Sequence, residues 1–210
     1  MERATSQSGD GEQPRVIGLT GGTGVGKTTV GALLASQGAH VVDCDQLGYN
    51  VVAPGGAALP ALFARFGPSV ETDDGALDRA GLAAIVFTDA DALADLNRIT
   101  HPAIDDLIRS EIEAAAANGT AVVVLDMAVL VESDLGAGQY DTVLVVTSDL
   151  ELRLTRLAER GMGRSDAVAR IASQASDEDR LAVADLVIDN SGSLEDLSRH
   201  VDDAWERLSV

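Results

Sequence analysis

The chain has 210 residues, of which 46% are apolar and only 3% aromatic, so a sizeable core must be built from Ala, Val, Leu and Ile. Its 34 acidic residues against 15 basic ones give a formal charge of −19, which argues against non-specific binding to nucleic acid or anionic membranes, since that needs clustered positive charge. No apolar run approaches the roughly 20 residues that cross a bilayer, and the single cysteine, Cys44, excludes an internal disulfide.

The first fourteen residues, Met1 to Pro14, are polar and Gly/Ser-rich and lack the apolar centre of a signal peptide. They read as a disordered lead-in to a cytoplasmic protein. Residues 15–210 then fit one α/β domain. Arg15 to Thr20 is a buried strand running into a glycine-rich loop, and Gly26 to Ser36 has helical periodicity with Val30, Leu33 and Leu34 on one side. His40 to Val42 is a second short strand that ends at Asp43 and Asp45.

From there to about Asn118 the pattern is helical, through Leu62, Leu82, Leu93 and Leu107, with no convincing strand. This stretch is expected to be a helical insertion or cap. Ala121 to Leu125, closing on Asp126, is a continuous apolar run of the kind that forms a central parallel strand, and Thr142 to Val146 repeats it. Leu186 to Ile188 is a shorter one. Helices are expected over 149–159, 164–173, 177–184 and 193–208. Strands alternating with helices imply a parallel sheet covered on both faces, with ligands gathering at the carboxyl ends of its strands.

Between the first strand and the first helix, Gly21, Gly26, Lys27 and Thr28 match the P-loop pattern G-x-x-x-x-G-K-[ST]. Glycines let the backbone curl until successive N–H groups point into one concavity that holds phosphate oxygens. Gly22, Thr23, Gly24, Val25, Gly26, Lys27, Thr28 and Thr29 are therefore the candidate ATP-binding residues. Lys27 would bridge the β- and γ-phosphates, and the Thr28 hydroxyl would ligate Mg²⁺. Lys27 is also the only lysine in the chain. The Asn-Lys-x-Asp motif with which switch GTPases read guanine therefore cannot exist here.

Other candidates remain open between chemistry and structure. One carboxylate of Asp43-Cys44-Asp45 could accept the proton of an attacking hydroxyl or hold a water on Mg²⁺, and either could instead cap a helix. Cys44 between two aspartates reads as a small packing residue, since a thiolate is disfavoured there. Asp126 has the position of a Walker B carboxylate or of a cap. Arg153, Arg156, Arg160 and Arg164, spaced by three, four and four, would share one helical face. That face could clamp phosphates, or be solvated and paired with Glu151 and Glu159. His101-Pro102 reads first as a helix start with proline at the first position, and Asn190 as a reader of a base or a turn residue.

With these residues in order, the chain resembles the dephospho-coenzyme A kinase family over about residues 15 to 208. The resemblance runs through IGLTGGTGVGKTTV, VVDCDQLGYNVVAPGG, ITHPAI, LVES, ARIASQAS and RLAVADLVIDNSGS. It implies a P-loop kinase with a nucleotide-binding core (about 15–50 and 120–210), a helical acceptor-binding insertion (about 51–118) and a mobile lid (about 153–176). It further implies ATP and dephospho-coenzyme A as small-molecule substrates, Mg²⁺ as metal, and a monomer or weak homo-oligomer.

Position by position, the resemblance makes Asp45 the catalytic base, with Asp43 its helper or a water-mediated metal contact. His101 would hold the acceptor. Arg156 and Arg160 would be lid arginines near the ATP phosphates, with Gln174 and Arg180 in matching blocks after the lid. Asn190 would lie near the adenine. One departure stands out: where the family usually has a proline followed by two leucines after the third strand, this chain has Ala128-Val129-Leu130. The alternatives are a related kinase with a nucleoside or nucleotide acceptor, and a nucleotide-binding interaction module without turnover.

Overall fold

A computed structural model describes residues 13–209 of the chain. The expected N-terminal lead-in lies, but for Gln13 and Pro14, outside the described residues. Five strands, β1 (Arg15–Thr20), β2 (His40–Asp43), β3 (Val122–Asp126), β4 (Thr142–Thr147) and β5 (Leu186–Asp189), form one parallel sheet in the order β2-β3-β1-β4-β5. The helices are α1 (Lys27–Ser36), α2 (Cys44–Val51), α3 (Leu59–Phe66), α4 (Arg79–Val86), α5 (Ala90–Ala117), α6 (Leu150–Glu159), α7 (Arg164–Ala172), α8 (Asp177–Ala182) and α9 (Leu194–Leu208).

The continuous apolar runs of β1, β3 and β4 follow from burial on both faces. Alternate residues feed two separate cores. Ile17, Leu19, Val122, Val124, Leu144 and Val146 pack with Val30 and Leu34 of α1 and with Leu197 and Val201 of α9. Val16, Val123, Leu125, Val143 and Val145 pack on the opposite face with Leu47 of α2, Leu62 of α3, and Ile104 and Ile108 of α5. The register places Leu19 of β1 and Asp43 of β2 both opposite Asp126 of β3. Two strand-end carboxylates are thereby set side by side at the edge where the glycine loop begins.

The segment between β2 and β3 is helical as expected, with one isolated bridge, Glu71 to Leu77. A satellite core of Val70, Leu82, Val86 and Ala92 joins α4 to α5. The His-Pro pair corrects the sequence reading, because no helix starts there. Helix α5 begins after Asp89, whose carboxylate caps the N–H groups of Asp91 and Ala92 at 2.9 and 3.1 Å, and it runs through Pro102. A proline inside a helix costs about 3 kcal/mol. Burial of Ile104 and Ile108 on the same helix, at about 1.5–3 kcal/mol per side chain, exceeds that cost, so tertiary packing carries the helix across the proline.

The arginine series is corrected as well. Helix α6 ends at Glu159, Arg160 is its C-cap, and Gly161 turns the chain at φ +85 before α7 starts at Arg164. The four arginines therefore do not share one face, and each has its own environment.

Candidate active site

The loop from Gly21 to Gly26 leaves β1 at its carboxyl end and enters α1, whose N-terminal N–H groups face the same space. Gly26 is left-handed at φ +95, and a Cβ there would lie 2.2 Å from Nδ2 of Asn190. Only glycine meets both demands. Around the loop a cavity of about 240 Å³ is lined by Gly21, Gly22, Thr23, Gly24, Gly26, Lys27 and Thr28, and by Asp45, Ala128, Arg160 and Gln174. A carboxylate at the start of α2 thus shares one concavity with the phosphate-type loop. Thr28 and Thr29 are exposed at the start of α1, and Val25 is buried.

Lys27 is held by the Asp126 carboxylate, and both side chains are mostly buried. Asp45 is partly open to solvent, yet desolvation of its carboxyl at the cavity wall pushes it above the usual aspartate range. Lys27 pulls it back, Asp126 and Asp43 add to the rise, and the nearby Ala128 backbone N–H lowers it. A carboxylate of raised proton affinity is a stronger base than an ordinary aspartate, which suits proton abstraction. Burial also pushes the Cys44 thiol, packed in the core, up to about 12, with Asp126, Asp45 and Asp43 adding to it against Lys27. That agrees with a packing role.

The Ala128 contact gives the departure from the family pattern a consequence. Proline has no N–H, so Ala128→Pro removes the donor and leaves Asp45 with a still higher proton affinity. The acid limb of the pH–rate profile should move to higher pH in that variant and stay in place in Ala128→Gly. Superimposable limbs in all three proteins would show that the N–H does not act on Asp45.

Asp43 is the N-cap of α2 and accepts from the Gln46 N–H at 2.8 Å. It lies at the rim, exposed, beside Asp126. His101 is half-buried on α5 and lines a separate cavity of about 520 Å³ with Asn97, Arg98 and Glu132. Arg156 stands behind the loop, donating to the Val25 carbonyl at 3.2 Å, to Ser148 Oγ at 3.0 Å and to the Asn190 carbonyl at 2.9 Å. Asn190 is buried, and its amide donates to the same Val25 carbonyl at 2.7 Å. Arg160 is exposed and faces the cavity. Arg164 pairs with Glu151 on the surface, at 2.8 Å.

A second layer of the site joins residues the sequence had offered separately, and its pairings were not visible there. The backbone of Thr23 is held at both of its peptide groups: its N–H donates to Gln174 Oε1 at 2.7 Å, and its carbonyl accepts from Arg153 Nε at 2.9 Å. Buried Arg153 is anchored by Asp177 at 3.0 Å. Arg180, only 1% exposed, donates to Glu132 at 2.6 Å and to the Ala175 carbonyl. Glu132 in turn accepts from the Ala175 N–H at 2.9 Å. Arg180→Ala leaves a glutamate without its cation and should lower the unfolding free energy by about 3–5 kcal/mol, read from urea unfolding. A loss below about 1 kcal/mol, in the range of an exposed pair, would show that the network contributes little to folding. Nothing in the local pattern distinguishes Glu132 or Asp177 from the many surface carboxylates, so only the LVES and ASQAS blocks pointed near them.

A parallel sheet with a glycine loop, a lysine, and a strand-end carboxylate in one cavity defines a P-loop kinase fold. The family model for dephospho-CoA kinase matches residues 15–196. The chain is 50% identical to a dephospho-CoA kinase of Corynebacterium glutamicum over 186 residues, 88% of this chain and 95% of that one. A dephospho-CoA kinase of Streptomyces avermitilis is 48% identical over 193 residues, covering 91% and 93%. Among solved structures, the protein TT1252 of Thermus thermophilus superposes with a TM-score of 0.81 at 32% identity, over 95% of this chain and all of that one. The dephospho-CoA kinase of Campylobacter jejuni shares the fold, with a TM-score of 0.67 at 24% identity over 92% and 96% of the two chains. The chain belongs to the dephospho-CoA kinase family. Among the described residues no helix is long and apolar enough to cross a membrane.

Proposed function

We propose that the chain transfers the γ-phosphoryl group of ATP to the ribose 3′-hydroxyl of dephospho-coenzyme A, giving coenzyme A and ADP. The observation that carries this reading is the single cavity shared by the loop amides, Lys27 and a carboxylate of raised proton affinity, Asp45, in a member of this family. ATP would lay its phosphates in the concavity of the loop from Gly22 to Thr29, along the N–H groups left over once Thr23 donates to Gln174, Val25 to the Gly22 carbonyl and Thr29 to the Gly26 carbonyl. Lys27 would exchange its ion pair with Asp126 for the β- and γ-phosphates, and Arg160 would add a second cation. Arg156 and Asn190 would act from behind by fixing the Val25 peptide, so that the amides keep their aim.

In the transfer step Asp45 takes the proton of the 3′-hydroxyl as that oxygen forms its bond to the γ-phosphorus. The bond to the β-phosphate oxygen breaks and its electrons leave with ADP. The donor set fits Mg²⁺. The Thr28 hydroxyl and the Asp126 and Asp43 carboxylates are hard oxygens, and no cluster of three acidic, His or Cys ligands exists among the described residues. That is the pattern of an ion held mainly by waters and substrate phosphates. Bound there, Mg²⁺ would neutralise charge on the phosphates.

In the same reading the helices between β2 and β3 receive the acceptor, with His101 as one contact, and the α6–α7 segment around Arg160 is the lid. The substrates are soluble small molecules, and we take the compartment to be the cytoplasm. Phosphorus NMR of the product tests the assignment. A new phosphomonoester signal coupled to the ribose 3′ proton is expected. A signal on any other atom, or none, would contradict it.

A further inference from the structure

The Thr23 N–H is spent on the Gln174 side chain, and both residues line the phosphate cavity. That contact fixes which way round the glutamine lies. A backbone N–H can only donate, so the atom 2.7 Å from it is the amide oxygen, and Nε2 with its two hydrogens is the other end. Nε2 is open to solvent and has no hydrogen-bond partner among the described residues. A glutamine in an anion-binding cavity thus has its acceptor turned away and used, and its donor free.

The same side chain is braced from behind. Gln174 sits in the bend between α7 and α8, and the next residue is pinned on both sides of its backbone. The Ala175 N–H donates to Glu132 at 2.9 Å, and its carbonyl accepts from buried Arg180. Thr23 is fixed in turn by Arg153, whose Nη2 lies 2.5 Å from where a Cβ on Gly22 would stand. Main chain and amide tip are therefore both set before a ligand arrives, the condition under which a dipole stabilises charge without reorganising. Strands β2, β3 and β1 end at one edge. The residues that leave it, Asp45, Ala128 and Gly21 to Thr23, wall one side of the cavity, while Lys27 and Thr28 at the start of α1 close the other. The phosphate nearest Thr23 and Gln174 is accordingly the one nearest the base, the γ-phosphate.

We infer that Gln174 is a further catalytic residue, whose Nε2 donates a hydrogen bond to a γ-phosphoryl oxygen of ATP while the Thr23 N–H holds the amide in the orientation that allows it. The inference rests on the phosphoryl transfer proposed above. One loop N–H thereby reaches the substrate through a side-chain amide. Donation by Thr23 polarises the Gln174 carbonyl and strengthens Nε2–H as a donor. The contact persists as the phosphoryl group moves, because charge stays spread over its three oxygens in the transfer.

The test uses two variants. Gln174→Met keeps the length of the side chain and removes both polar atoms. Gln174→Glu keeps an oxygen for the Thr23 N–H, and so the brace, but replaces the donor with a carboxylate. Each is titrated calorimetrically with ADP and with a non-hydrolysable ATP analogue, in the presence of Mg²⁺ and without acceptor. Gln174→Met should bind ADP within about twofold of wild type and the ATP analogue about 10- to 100-fold more weakly, the range for a hydrogen bond to a charged group. Gln174→Glu should lose at least as much for the analogue, with its melting temperature unchanged. Turnover should fall by a similar factor in both, leaving the KM for the acceptor in place. Equal losses for ADP and the analogue in Gln174→Met would reduce Gln174 to a brace for the loop, and tighter binding of the analogue would make it a plug that ATP displaces; either overturns the inference. The titrations need no acceptor. Binding as predicted in a chain that transfers nothing to dephospho-coenzyme A would uphold the Gln174 contact and overturn the acceptor assignment instead.

Discussion

Lys27→Ala is expected to reduce turnover by a factor on the order of 10³. Lys27 is the only lysine of the chain, and the nearest other cation of the cavity is the exposed Arg160, so no neighbour can substitute for it. The variant also frees Asp126 from its ion pair, leaving a mostly buried carboxylate beside the phosphate site. Like-charge repulsion then weakens ATP as well, and both kcat and ATP affinity should fall. Lys27→Arg keeps the charge but not the compact ammonium, and should recover little. Turnover of Lys27→Ala near the wild-type rate would remove the loop from the mechanism.

Asp45→Asn should leave ATP affinity nearly intact and suppress phosphoryl transfer by about 10²- to 10⁴-fold, the range for loss of a positioned general base. Stability should move the other way. Desolvation and two neighbouring carboxylates raise the Asp45 pKa in the folded chain, so its charged form opposes folding. Folding stability falls as pH rises from the unfolded pKa through the folded one, and the deficit persists above both. At neutral pH Asp45→Asn removes that deficit, and the melting temperature should rise. A variant that loses activity and stability together would mark Asp45 as a structural residue rather than a base. Unchanged transfer per bound ATP would assign the proton to another group.

The central strands were legible in the sequence because they are buried on both faces. Val122 to Leu125 and Val143 to Val146 are continuous apolar runs of the kind a central parallel strand accommodates. The P-loop was legible because its chemistry is local: glycines, lysine and threonine act within eight consecutive residues. Asp45 became a candidate through its place at a strand end, and the register of β2 on β3 explains why that place faces the loop. What escaped were interactions that long-range packing decides. Pro102 looked like a helix start because local sterics favour that, whereas burial of Ile104 and Ile108 on the same helix overrides them. The arginines looked like one stripe because periodicity ignores Gly161, where the chain turns at φ +85. The grip of Arg153 and Gln174 on Thr23 joins residues 130 and 151 positions apart, and no periodic pattern encodes such a pair.

The central claim is acceptor-dependent transfer from ATP, and a coupled ADP-release assay with Mg²⁺ tests it most directly. Saturable ADP release that appears only when dephospho-coenzyme A is added is the predicted result. ADP release indifferent to the acceptor, or none while ATP remains bound at low and high salt, would contradict it.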